Sequence, residues 1–148
     1  ILPDAYLANL SAIREGASYE RGIAERRGGH AGFVAVASGD DLPPDRAGPP
    51  GGLVIGFATG GLARRTGLAD GEVETLYLLD DYRERGLGRR LMRAMASHLC
   101  SLGAQSAFAW VLDENPSRFF YERLGARRIA QEGIRFAGQT LTQAAYGW

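Results

Sequence analysis

The chain has no lysine: all 17 of its basic residues are arginine. That absence excludes a Schiff-base lysine and the lysine of a Walker-type phosphate loop. An Arg-, Ala- and Gly-favouring composition also fits a GC-rich, bacterial genome. The one cysteine, Cys100, has no intrachain disulfide partner, and the two histidines, His30 and His98, lie far apart, so no metal site is expected. Cys100 falls in an apolar helical stretch and reads as a buried, inert thiol rather than a nucleophile. No apolar run is long enough to cross a bilayer, and no basic segment followed by an apolar one opens the chain. The expectation is a soluble, cytoplasmic protein without a membrane partner. The chain opens at Ile1 rather than Met, so a preceding piece is expected.

What is there describes one ordinary globular domain of 148 residues, 45% hydrophobic and 23% charged. Seventeen acidic residues balance the arginines, which argues against a bulk electrostatic partner such as DNA, RNA or an anionic surface. Residues 4–27 carry Leu7, Leu10, Ile13, Ala17 and Ile23 at mostly helical spacings and read as short amphipathic helices forming a lid or flank. HAGFVAVA (30–37) and GLVIGFAT (52–59) read as strands, joined by an exposed loop with four prolines in GDDLPPDRAGPPG. EVETLYLL (72–79) is a third strand. A helix follows from Gly86 to Leu102, with Leu87, Leu91, Met95, His98, Leu99 and Leu102 on one face. SAFAWVL (106–112) is a strand, 116–124 a helix, and 126–148 two strands split near Gly138. The strand, helix, strand unit over 72–112 implies a parallel pair with a right-handed crossover.

The most informative stretch is Arg83-Glu84-Arg85-Gly86-Leu87-Gly88-Arg89-Arg90, where a strand becomes a helix. Glycines let consecutive N–H groups converge on an anion, and a helix N-terminus adds unpaired donors and a positive dipole end. Five arginines against Glu84 over residues 83–93, counting Arg93, give a local +4 on a neutral chain, which suits more than one phosphate. The dinucleotide fingerprint G-x-G-x-x-G fails because Leu91 stands where Gly or Ala is needed. Only Tyr82 is an aromatic residue close to the basic cluster, against a single-stranded RNA surface.

R-x-x-G-x-G on such a turn resembles the pyrophosphate loop of the GCN5-related N-acetyltransferase (GNAT) superfamily. VETLYLLDDYRERGLGRRLM resembles that family's central strand, loop and helix, and ENPSRFFYERLGARRI its second signature. Together these stretches span residues 72–129. The resemblance implies an α/β fold with a mixed, largely antiparallel sheet flanked by helices and a parallel strand pair splayed around acetyl-CoA. It implies one N-acetyltransferase domain over residues 1–148, with the family's first strand and first helix absent from the chain. Acetyl-CoA would be held by Arg83, Arg85, Gly86, Leu87, Gly88, Arg89 and Arg90, with Asn115, Ser117 and Tyr121 beside it. The backbone from Tyr77 to Leu79 would pair with the pantetheine arm, the N–H of Leu78 or Leu79 stabilising the oxyanion. A homodimer stays open.

Amine acetylation needs a deprotonated nucleophile and a proton or hydrogen bond for the departing thiolate. Glu72, eleven residues before Arg83, is the candidate base by resemblance, at the separation where some family members place a catalytic glutamate; Glu74, two residues on, shares its face, and water is the other option. Tyr121 is the candidate acid by resemblance. Asn115 before Pro116 reads first as a helix N-cap. The expected activity is acetyl transfer from acetyl-CoA to a primary amine of a small molecule by direct attack. A catalytically silent acyl-CoA sensor is the alternative, and acyl chains longer than acetyl are not excluded.

Overall fold

The computed structural model describes residues 27–42, 44–45, 48–65 and 67–148. Apart from Arg27, the helices expected over 4–27 lie outside the described residues. The elements run β1 (Ala31–Ala37), β2 (Leu53–Leu62), β3 (Gly71–Leu78), α1 (Leu87–Ser101), β4 (Ala107–Leu112), α2 (Ser117–Arg123), β5 (Arg127–Phe136) and β6 (Gln139–Gly147). The six strands form one sheet in the order β1-β2-β3-β4-β6-β5. Every neighbouring pair is antiparallel except β3 and β4, which are parallel, as the crossover through α1 requires. β2 runs three residues beyond the expected Thr59, to Leu62, because Gly60, Gly61 and Leu62 pair with Val73, Glu72 and Gly71.

Helical spacing puts Leu91, Met92, Met95 and Leu99 on the face of α1 that meets the sheet, and all four are buried. Each contributes about 1.5–3 kcal/mol of hydrophobic stabilisation. They share a core with Val73, Ala109, Val111, Ala144 and Tyr146 of the sheet and Tyr121 of α2, so both helices cover the same sheet face. A Cβ on Gly71 would lie 2.9 Å from Leu99, which shows how closely α1 approaches β3.

The face expected for α1 differs in detail: Met92 is buried, whereas Leu87, His98 and Leu102 are half-buried at its edges. His98 accepts a structural role there, its Nε2 lying 2.6 Å from the Gly29 carbonyl and its ring edge-on to Phe33. Cys100 is exposed rather than buried, because one helical step beyond Leu99 it turns away from the sheet.

β3 carries a bulge. Thr59 pairs with Thr75 and Gly60 with Val73, leaving Glu74 as the extra residue. The bulge resets the alternation, so that Val73 before it and Leu76 and Leu78 after it all pack toward α1. Glu72 alternates with Gly71 and Val73 and therefore projects from the other face.

Candidate functional site

The parallel ladder between β3 and β4 holds at two positions only, Gly71 with Ala107 and Glu72 with Phe108. Beyond these the strands part. β4 continues on β6, Trp110 opposite Ala145, while β3 continues on β2 as far as Leu78 opposite Gly56. Which β3 backbone groups face the gap follows from the antiparallel alternation. The Leu79 N–H donates to the Ile55 carbonyl at 2.8 Å, so its backbone, and that of Tyr77 two residues earlier, turns toward β2. Of the stretch Tyr77–Leu79, Leu78 alone presents its N–H to the gap. Of the two amides expected as oxyanion donors, that of Leu79 is thus already engaged. The Tyr77 side chain is half exposed and packs on Phe57, with ring centroids 5.9 Å apart.

From Leu79 the chain turns through a short 3-10 segment, Asp80–Tyr82, and enters α1. Tyr82 anchors this turn: it is buried, its hydroxyl donates to the Asp41 carbonyl at 3.2 Å, and the Arg85 guanidinium stacks 5.1 Å from its ring centroid. Arg83 pairs with Asp80 at 3.1 Å. Arg83, Arg85, Gly86, Arg89 and Arg90 are exposed, and Leu87 is half-buried. Gly86 caps the helix with φ 76°, a left-handed conformation that disfavours a side chain. Glu84 adopts φ 61°, strain that no motif in the sequence announced. The first helical bond runs from the Arg90 N–H to the Gly86 carbonyl, 3.1 Å, so the amides of Leu87, Gly88 and Arg89 precede it and are open to an anion. Gly88 has a second reason to be glycine: it is buried, and a Cβ there would stand 3.2 Å from the Phe120 ring.

The second signature sits across from this turn. Asn115 accepts from the Ser117 N–H through Oδ1 at 2.9 Å, and Pro116 already has helical dihedrals, which is the expected cap. The cap uses Oδ1 and leaves the Nδ2 donors for other partners. Ser117 itself is exposed at the start of α2. Arg118 donates to the Asp113 carbonyl at 3.0 Å, and Arg128 pairs with the Asp113 carboxylate at 3.3 Å, fixing the β4–α2 turn. Both arginines lie inside the second signature, but their contacts with Asp113 depend on how this turn folds and no local pattern announces them.

Tyr121 is buried on the helix-covered face, with Phe120 and Trp148 edge-on at 5.4 and 5.6 Å. Burial pushes its phenol up to about 12. Glu72 stands on the opposite face, its pKa raised first by partial burial and then by Glu74, with Arg64 and Arg65 pulling it back down. Glu74 is held by Arg64 at 3.2 Å and by the His30 ring at 3.5 Å. The two candidate proton-handling groups are therefore on either side of the sheet, Glu72 at the last ladder position before the strands part. Among the described residues, no group of His, Cys, Asp and Glu could hold a metal ion. No described helix is long and apolar enough to cross a membrane.

The FR47-like protein family matches residues 52–135. The uncharacterized N-acetyltransferase YuaI of Bacillus subtilis is 37% identical over 98 residues, which cover 66% of this chain and 57% of that one. A putative acetyltransferase from Acinetobacter baylyi superposes with a TM-score of 0.67 at 18% identity, over 93% of this chain and 72% of that one. A putative acetyltransferase from Salmonella typhimurium, solved with its cofactor acetyl-CoA, gives 0.63 at 20% identity over 95% and 74% of the two chains. The splayed parallel pair, the glycine turn opening α1 and the family match over more than half its length establish that the chain belongs to the FR47-like family and has the GNAT acetyltransferase fold.

Proposed function

We propose that the protein transfers an acetyl group from acetyl-CoA to the primary amine of a small molecule by direct attack. The observation that carries this reading is the two-position β3–β4 ladder, which leaves the Leu78 amide on an open edge between the faces of Glu72 and Tyr121. The relatives named as acetyltransferases and the acetyl-CoA bound by the Salmonella protein support it. The diphosphate would lie on the amides of Leu87, Gly88 and Arg89, with Arg89 and Arg90 neutralising its charge and Arg83 and Arg85 at the rim. Asn115 would meet the pantetheine arm through Nδ2.

Acetyl-CoA supplies the activated acyl group. The Leu78 N–H donates to the carbonyl oxygen as it gains charge. Glu72, six residues from Leu78 along β3, takes the proton of the attacking amine through intervening waters, a role its raised pKa favours. Tyr121 donates a hydrogen bond to the departing sulfur. Its phenol at about 12 stands roughly 3.5 units above a thiol near 8.5, so full proton transfer would be uphill by about 5 kcal/mol. Tyr121 therefore stabilises the thiolate as a donor and keeps its own proton. Cys100 takes no part: it lies near the far end of α1, roughly 20 Å from the turn at 1.5 Å per residue.

The test is thiol release from acetyl-CoA by purified protein against amines, aminoglycosides and peptide N-termini. Release that requires a small amine is expected. Calorimetric CoA binding with no turnover across that panel would overturn the reading in favour of a silent binding module. A kinetically competent acetyl-Cys100 species in mass spectra would overturn direct attack.

A further inference from the structure

Between α1 and the carboxyl end of the chain lies an apolar groove of about 320 Å³ lined by Val73, Met92, Leu99, Ala107, Leu124 and Trp148. Its floor, Val73, Met92 and Leu99, is core; its rim is formed by exposed Arg89, Arg93 and Ala96. Trp148 is fixed as its wall, pairing through its backbone with Ala107 at 2.9 Å and donating from its indole N–H to the Leu124 carbonyl at 3.1 Å. Arg89 and Arg93 stand four residues apart on one helix face, where like charges repel, and among the described residues neither has an ion-pair partner. An apolar slot with two unneutralised cations at its mouth is complementary to a ligand with an aliphatic body and an anionic head.

We propose that this groove binds a single-chain alkyl carboxylate, its chain lying along Met92, Leu99 and Trp148 and its carboxylate meeting Arg93 and Arg89. Occupancy reaches Tyr121 through the Trp148 ring, with which it is in edge contact. The site lies apart from the Leu78 gap, with Arg93 as its own cation and Arg89 shared with the turn that opens α1.

Calorimetric titration of the full chain with decanoate, decylamine and decanol, below their micelle concentrations, tests it. Saturable one-to-one binding of decanoate is expected, with decylamine at least about tenfold weaker. Arg93→Glu reverses that order, and Ala96→Trp, which fills the rim, abolishes binding while circular dichroism stays native. Equal binding of the three probes, or an unchanged preference in Arg93→Glu, overturns the proposal. So does displacement of decanoate by dimerisation as protein concentration rises, which would make the groove a self-association surface. The charge-reversal variant keeps the test decisive should Ala96→Trp fail to fold.

Discussion

The Leu79 amide donates to the Ile55 carbonyl at 2.8 Å, and this one bond turns the neighbouring Leu78 amide toward the open edge of β3. The two positions should respond oppositely to proline, which removes the N–H. Leu78→Pro deletes a donor with no ladder partner in β2; it should lower kcat about 10²-fold while Tm falls little. Leu79→Pro breaks a ladder bond and should lower Tm clearly. Matched thermal melts and kcat measurements decide; equal losses of stability would refute the assignment.

Glu72 pays for its position. Its folded-state pKa is raised above 4.5, so ionisation opposes folding, and stability held below the unfolded pKa is lost as pH rises through the folded value. Glu72→Gln should therefore raise Tm at pH 7, and the gain should vanish as pH falls below 4.5. The same variant should remove the acidic limb from the kcat/KM profile and lower its plateau by about 10²-fold or more.

Tyr121→Phe should leave CoA affinity and Tm nearly unchanged while kcat drops about 10²-fold, because the lost hydroxyl acts on charge that develops only during transfer. With the phenol at about 12, the wild-type rate should show no alkaline limb from this group below about pH 11. A loss in KM alone would assign Tyr121 to ground-state packing.

Gly86→Val places a branched side chain at φ 76° with no protein atom within 4 Å of its Cβ. The backbone strain should cost about 1–2 kcal/mol in denaturant melts. The fold should survive, and CoA affinity should fall because the new side chain occupies the approach to the amides. Unchanged affinity would remove the turn from the binding site.

Much of this was legible along the chain. The glycine turn, Asn115 before Pro116 and the periodicity of Leu91, Met95 and Leu99 are local signals, because turn chemistry, capping and helical period act over a few residues. Cys100 was misread because an apolar neighbourhood in sequence does not say which way one residue of a helix points. The choice between the Leu78 and Leu79 amides was not legible, because the direction of a strand amide depends on the register with β2.

The sequence by itself determined the order of elements, the parallel β3–β4 crossover and the glycine turn that opens α1, since each follows from short-range sterics, hydrogen bonding and hydrophobic period. Only the tertiary structure decided that Leu78 rather than Leu79 faces the gap, that Glu72 and Tyr121 stand on opposite sides of the sheet, and that Trp148 walls a groove under Arg93. These relations join residues far apart in the chain. They are fixed by strand register, by the bulge at Glu74 and by which face α1 and α2 cover, none of which a local pattern encodes.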